Sequence, residues 1–137
     1  MIAQLEYTER GWAMWPATMP RPTVADIRNT TARVLGVPSP EWEKPPRLSR
    51  NLSECRALAG LVCRVVLNHS YPEAAGAVGY NAHSALLDPA CKCQQYANSE
   101  GGRVLYNAVV ERMYLDKEGS YQDAARKSLS GHAGGVA

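Results

Sequence analysis

With 137 residues the chain is the size of one domain with tails, or of one domain plus a helical appendage, and it can bury a single core. Apolar content of 45% and charged content of 20% exclude disorder as the default state, although the absence of phenylalanine leaves Leu, Val, Ala and Tyr to fill the interior. A net charge of +2 is weakly basic and does not by itself single the chain out as a nucleic-acid binder, so the distribution of charge matters more than the total and leaves room for a local patch.

Residues 1–20 carry Trp12, Trp15, Pro16 and Pro20 without a sustained period and read as an extended or partly ordered arm whose tryptophans pack onto something. A first helix is expected from Thr23, an N-cap residue, through Val24, Ile27, Val34 and Leu35 to Gly36, which stands where a left-handed C-terminal residue is wanted. Ser39-Pro40-Glu41 predicts one short helical turn carrying Trp42, which Pro45 and Pro46 stop. The most basic stretch of the chain follows: Lys44, Arg47, Arg50, Arg56 and Arg64 are opposed there only by Glu54.

Leu58, Leu61, Val62, Val65 and Val66 predict the buried stripe of a long helix from about Leu52 to Leu67, with Arg56 and Arg64 on its polar side. Ser70-Tyr71-Pro72-Glu73 is a capping box, in which the serine oxygen accepts from the Glu73 N–H and the Glu73 carboxylate reaches back to the serine N–H. The short helix it opens runs through Ala74, Ala77 and Val78 to Gly79, and after Gly79-Tyr80-Asn81 a further helix opens at Ala82 or His83. Two short helices joined by a glycine-containing turn make a helix-turn-helix.

Pro89 predicts a break or kink, with Asp88-Pro89 as a restart for a segment through Cys91, Gln94 and Gln95 to Asn98. Gly101-Gly102 then separates a last amphipathic helix, Arg103 to Asp116, whose Val104, Leu105, Ala108, Val109 and Met113 share a face. That face either covers the core or pairs two copies into a homodimer. From Lys117 the tail has a capping box, Ser120 to Asp123, and then the Gly and Ala residues of a frayed terminus.

The four cysteines lack C-x-x-C spacing and read as small apolar fillers. Cys91 and Cys93 with His83 are the nearest thing to a soft-metal set, but C-x-C on a helix points its side chains about 200° apart, so neither a metal nor another cofactor is expected. There is no nucleophile, base and acid set, and the chain reads as a non-enzyme. No leader pattern precedes the first helix and no apolar run approaches the length of a membrane span, so a cytoplasmic location without membrane contact is expected.

Three segments then align with a known pattern. Arg56-Ala57-Leu58-Ala59-Gly60-Leu61-Val62-Cys63-Arg64, Asn68-His69-Ser70-Tyr71-Pro72-Glu73 and Gly79-Tyr80-Asn81-Ala82-His83-Ser84-Ala85-Leu86-Leu87 resemble, in register and without gaps, R-Q-x-A-x-x-L-A-[KR], S-L-P-E-I-G and G-G-R-D-H-T-T-V-L. Those are motifs of the C-terminal DNA-binding domain (domain IV) of the DnaA family of bacterial replication initiators, whose helix-turn-helix is of the Trp-repressor-like type. Thr23-Val24-Ala25-Asp26-Ile27 and Val34-Leu35-Gly36-Val37 resemble the family's first helix and turn.

The resemblance implies an all-α, compact helical domain over residues 21–100, preceded by the arm at 1–20 and followed by the C-terminal helix and flexible tail at 101–137. It implies double-stranded DNA as partner, with the first turn of the second motif helix against base edges through Asn81, His83, Ser84 and Ala85. Arg56, Arg64, Tyr71, Pro72 and Lys92 match positions that hold phosphates, and Arg47 and Arg50 lie in the basic loop that reaches the minor groove. Tyr80-Asn81-Ala82-His83 departs from the family's G-R-D-H, and Leu48 stands at the minor-groove arginine position. No G-x-x-x-x-G-K-[ST] loop is present, so the family's ATPase half is not expected in this chain. The expectation is regulation of replication or transcription by site occupancy, alongside proteins of those processes, in a phage or mobile-element setting. The alternative is a protein-interaction module that keeps the fold and no longer binds DNA.

Overall fold

The computed structural model describes residues 4–38, 42, 50–80 and 92–136, with only the backbone course for Arg50, Asn51 and 120–136. Among the described residues five helices carry the fold: α1 (Val24–Leu35), α2 (Arg50–Val66), α3 (Tyr71–Ala77), α4 (Lys92–Ala97) and α5 (Glu100–Val136). A two-stranded antiparallel sheet, β1 (Glu6–Tyr7) and β2 (Ala13–Met14), pairs Glu6 with Met14 and Tyr7 with Ala13. The fold class is all-α with this small hairpin added.

Local chemistry explains the helix ends. Thr23 Oγ1 accepts from the Asp26 N–H at 3.0 Å while Asp26 returns the bond to the Thr23 N–H at 2.9 Å, so α1 begins in a capping box. Gly36 ends it in the left-handed region at φ 70°, and the Val37 N–H closes back on the Ala32 carbonyl at 2.8 Å. Ser70 and Glu73 form the second capping box at the start of α3.

α2 is the central element, packed by α1, α3, α4 and α5. Every residue from Cys55 to Cys63 is buried. The expected one-sided stripe is therefore corrected: neighbours surround the helix, small Ala57, Ala59 and Gly60 let them approach, and Val65 of the expected stripe is 53% exposed instead. Ile27 of α1, Val78 after α3, and Tyr106, Val109, Val110 and Met113 of α5 complete the core.

Expectations change at both chain ends. Residues 4–20 form the hairpin and its connector rather than an extended arm, because α5 supplies the missing partners. Asn107 accepts from the Ala13 N–H and donates to the Gly11 carbonyl, both at 2.8 Å, and the Tyr106 hydroxyl donates to the Ala13 carbonyl at 2.9 Å. Trp12 meets Tyr106 edge-on at 5.1 Å between ring centres, and Trp15 meets Tyr114 at 6.4 Å.

At the other end, Gly101 and Gly102 lie inside the first turn of α5 instead of separating it from α4. Ser99 Oγ accepts from the Gly102 N–H at 3.0 Å, as an N-cap serine does. Gly102 is required there, since a Cβ would collide with the Tyr96 backbone at the end of α4. The buried face of α5 is Tyr106, Val109, Val110 and Met113, whereas Val104 is 55% exposed. Past Lys117 the backbone stays helical to Val136. No proline interrupts it, and the Ser120 to Asp123 capping pattern does not by itself break a helix.

Candidate nucleic-acid interface

The expected phosphate-holding residues of the α2–α3 corner come together. Arg64, in the last turn of α2, donates from Nη1 to the His69 carbonyl at 2.6 Å and lies 3.9 Å over the centre of the Tyr71 ring. That geometry combines a charge-assisted hydrogen bond with a cation–π contact and holds the guanidinium half-buried beside the start of α3. The turn itself is tight: Asn68 takes φ 55°, and the His69 N–H reaches the Cys63 carbonyl at 3.3 Å.

At the start of α3 the Glu73 N–H is used by Ser70 Oγ, and Pro72 has no N–H to offer. The Glu73 carboxylate accepts from the Ser70 N–H at 3.1 Å, and this bond holds its pKa below the ordinary value. The start of α3 therefore has few backbone N–H groups left over, and Arg64 is a cation at this corner.

Arg56 is corrected in place. It is 5% exposed, not on a polar face, and donates from Nη2 to the Trp42 carbonyl with its guanidinium 5.2 Å over the Tyr80 ring. The cause is long-range packing: Gly79 adopts φ 91° hard against Trp42, where any Cβ would strike the Trp42 carbonyl oxygen, and this brings Tyr80 over Arg56. Arg28 of α1 lies 5.3 Å over the Trp42 ring and donates from Nε to the Ala77 carbonyl at 2.7 Å, so it secures the last turn of α3. The Tyr80 N–H returns to the Ala75 carbonyl at 2.9 Å, completing the glycine turn that leads to position 81.

Lys92, at the start of α4, sits 5.6 Å over the Tyr96 ring. Asn81, His83, Ser84, Ala85, Asp88, Pro89, Cys91 and Arg47 lie outside the described residues, as does the side chain of Arg50. So do the short turn at Ser39-Pro40-Glu41 and the second helix of the motif.

Sequence reading missed Arg21, Arg28 and Trp42 as parts of this region. Arg28 carried one usable signal, a cation on α1 one position after the buried Ile27; Arg21 carried none, because its partner lies far along the chain. Cys55, Cys63 and Cys93 are buried thiols outside any disulfide, and desolvation pushes Cys55 up to about 11 and Cys63 to about 12, which disfavours the reactive thiolate at those two positions. Among the described residues no three His, Cys, Asp or Glu side chains gather to hold a metal, and no helix is long and apolar enough to cross a membrane. Compared with family models, curated proteins and solved structures, the chain finds no match.

Proposed function

We propose that this protein binds double-stranded DNA through a helix-turn-helix whose first helix is α3, and that it regulates replication or transcription by occupying its site. The observation that carries the reading is the α2–α3 corner: Arg64 stacked on Tyr71 beside the Ser70-capped start of α3, followed by a positive-φ turn at Gly79. A guanidinium at such a corner suits a backbone phosphate, and the glycine turn suits a second helix laid into the major groove. In this reading Asn81, His83, Ser84 and Ala85 face base edges, where imidazole and hydroxyl groups can meet guanine and thymine acceptors. Arg47 and Arg50 serve the minor groove, and Lys92 a further phosphate.

One observation favours the second reading, a protein-interaction module on the same fold. Burial of Arg56 removes a cation from the expected phosphate surface of a chain whose net charge is only +2.

Selection of bound sequences from random duplexes distinguishes the two. A recovered consensus, with His83→Ala and Ser84→Ala each losing about 1 to 3 kcal/mol on that consensus and little on random duplex, is the expected result. Failure to enrich any sequence, with equal weak binding of all duplexes, would favour the protein-interaction reading.

A further inference from the structure

Arg21 lies in the connector between β2 and α1 and belongs to none of the aligned motifs. Its side chain is exposed, and Nη1 donates to the Leu67 carbonyl at 3.4 Å. It therefore reaches the same α2–α3 turn whose His69 carbonyl receives Arg64. With Trp15, Met19, Val65 and Val66 it lines an open cleft beside the end of α2. A long stem over an apolar floor with the charged head at the rim is how arginine keeps its charge available to solvent.

Several cations elsewhere on the described surface are paired with carboxylates: Arg33 and Arg112 with Asp116, Lys117 with Asp26, and Arg103 with Glu100. Among the described residues Arg21 and Arg64 enter no salt bridge; Glu73, the acidic group nearest Arg64 in sequence, is occupied by Ser70, and Asp26, the one nearest Arg21, by Thr23 and Lys117. Each guanidinium spends one nitrogen on a backbone carbonyl and keeps further N–H groups for an anion.

We infer that Arg21 is a second DNA-backbone phosphate contact, so that the α2–α3 turn grips one strand through two guanidinium groups from distant parts of the chain. This rests on the duplex-binding reading above, and it adds a residue from outside the helix-turn-helix to the interface. A phosphate contact carries no base information, so its loss must weaken all duplexes alike.

The test is fluorescence anisotropy of the full chain on a labelled random-sequence duplex across a salt series, with Arg21→Gln and Arg21→Lys and a thermal melt of each. Arg21→Gln should weaken binding about five- to tenfold near 0.1 M salt and flatten the log–log salt slope by about one unit, while Arg21→Lys keeps the slope because it keeps the charge. A folded Arg21→Gln with the parent slope overturns the inference and leaves the duplex-binding reading standing; absence of binding by the parent chain overturns both. Phenylglyoxal labelling of the parent chain supplies the answer should Arg21→Gln not fold. Duplex should then shield Arg21 as it shields Arg64, and equal labelling of Arg21 with and without duplex overturns the inference.

Discussion

Arg56 and Arg64 stand on the same face pattern of one helix, yet their surroundings give them different work. Arg64 is half-exposed over Tyr71, while Arg56 is closed between the Trp42 carbonyl and the Tyr80 ring. Arg56→Ala should therefore destabilise the fold by on the order of 2 to 4 kcal/mol in urea denaturation, since it empties a packed site and leaves a buried carbonyl unpaired. A loss below about 0.5 kcal/mol, typical of a surface site, would contradict this placement. Sequence reading treated the two arginines alike because each sits in a helical motif. Only contacts made from positions 42 and 80 tell them apart.

Asp26 carries the pH prediction at this scale. The Thr23 N–H, and Lys117 at 3.1 Å, hold its carboxyl below the ordinary value of 3.8. A carboxyl with a lowered folded-state pKa contributes stability that is present above its unfolded pKa and is lost as pH falls through the folded one. Asp26→Asn should thus be less stable than the parent at pH 7, with the gap closing as acid protonates the parent's carboxyl. An equal gap at neutral and strongly acidic pH would mean that the side chain acts through packing and not through charge.

At the scale of elements, the ends of α1 and the start of α3 were legible because their signals are local. Thr23 with Asp26, and Ser70 with Glu73, satisfy each other across three positions, and Gly36 needs only its own backbone. The hairpin was not legible. Its two-residue strands are stabilised by Asn107 and Tyr106 of α5, and nothing near Ala13 announces those partners. Asn107→Leu should leave the Ala13 N–H unpaired and cost about 1 to 3 kcal/mol, while Arg103 still serves the Gly11 carbonyl at 3.1 Å. The same variant should shift Trp12 emission as its contact with Tyr106 loosens, and a parent-like melt and spectrum would show that the hairpin does not depend on this residue.

For the whole molecule, the all-α class followed from helical periodicity and caps, but the distribution of burial did not. A central α2 covered on all sides breaks the one-face pattern, and the extension of α5 through its glycines depends on how α4 ends against Gly102. The charge layout has a consequence for function. A chain of net charge +2 can bind a polyanion only where its cations are left unpaired, and among the described residues the α2–α3 corner is a place where two such guanidinium groups reach one turn. Duplex binding by the parent chain and by Arg64→Ala, followed from about 50 to about 200 mM salt, tests this most directly. The parent should bind with an affinity that falls linearly in log–log form, and Arg64→Ala should bind all duplexes more weakly with a slope flatter by about one unit. No binding at about 50 mM salt, or a slope that Arg64→Ala leaves unchanged in a folded chain, would contradict the account.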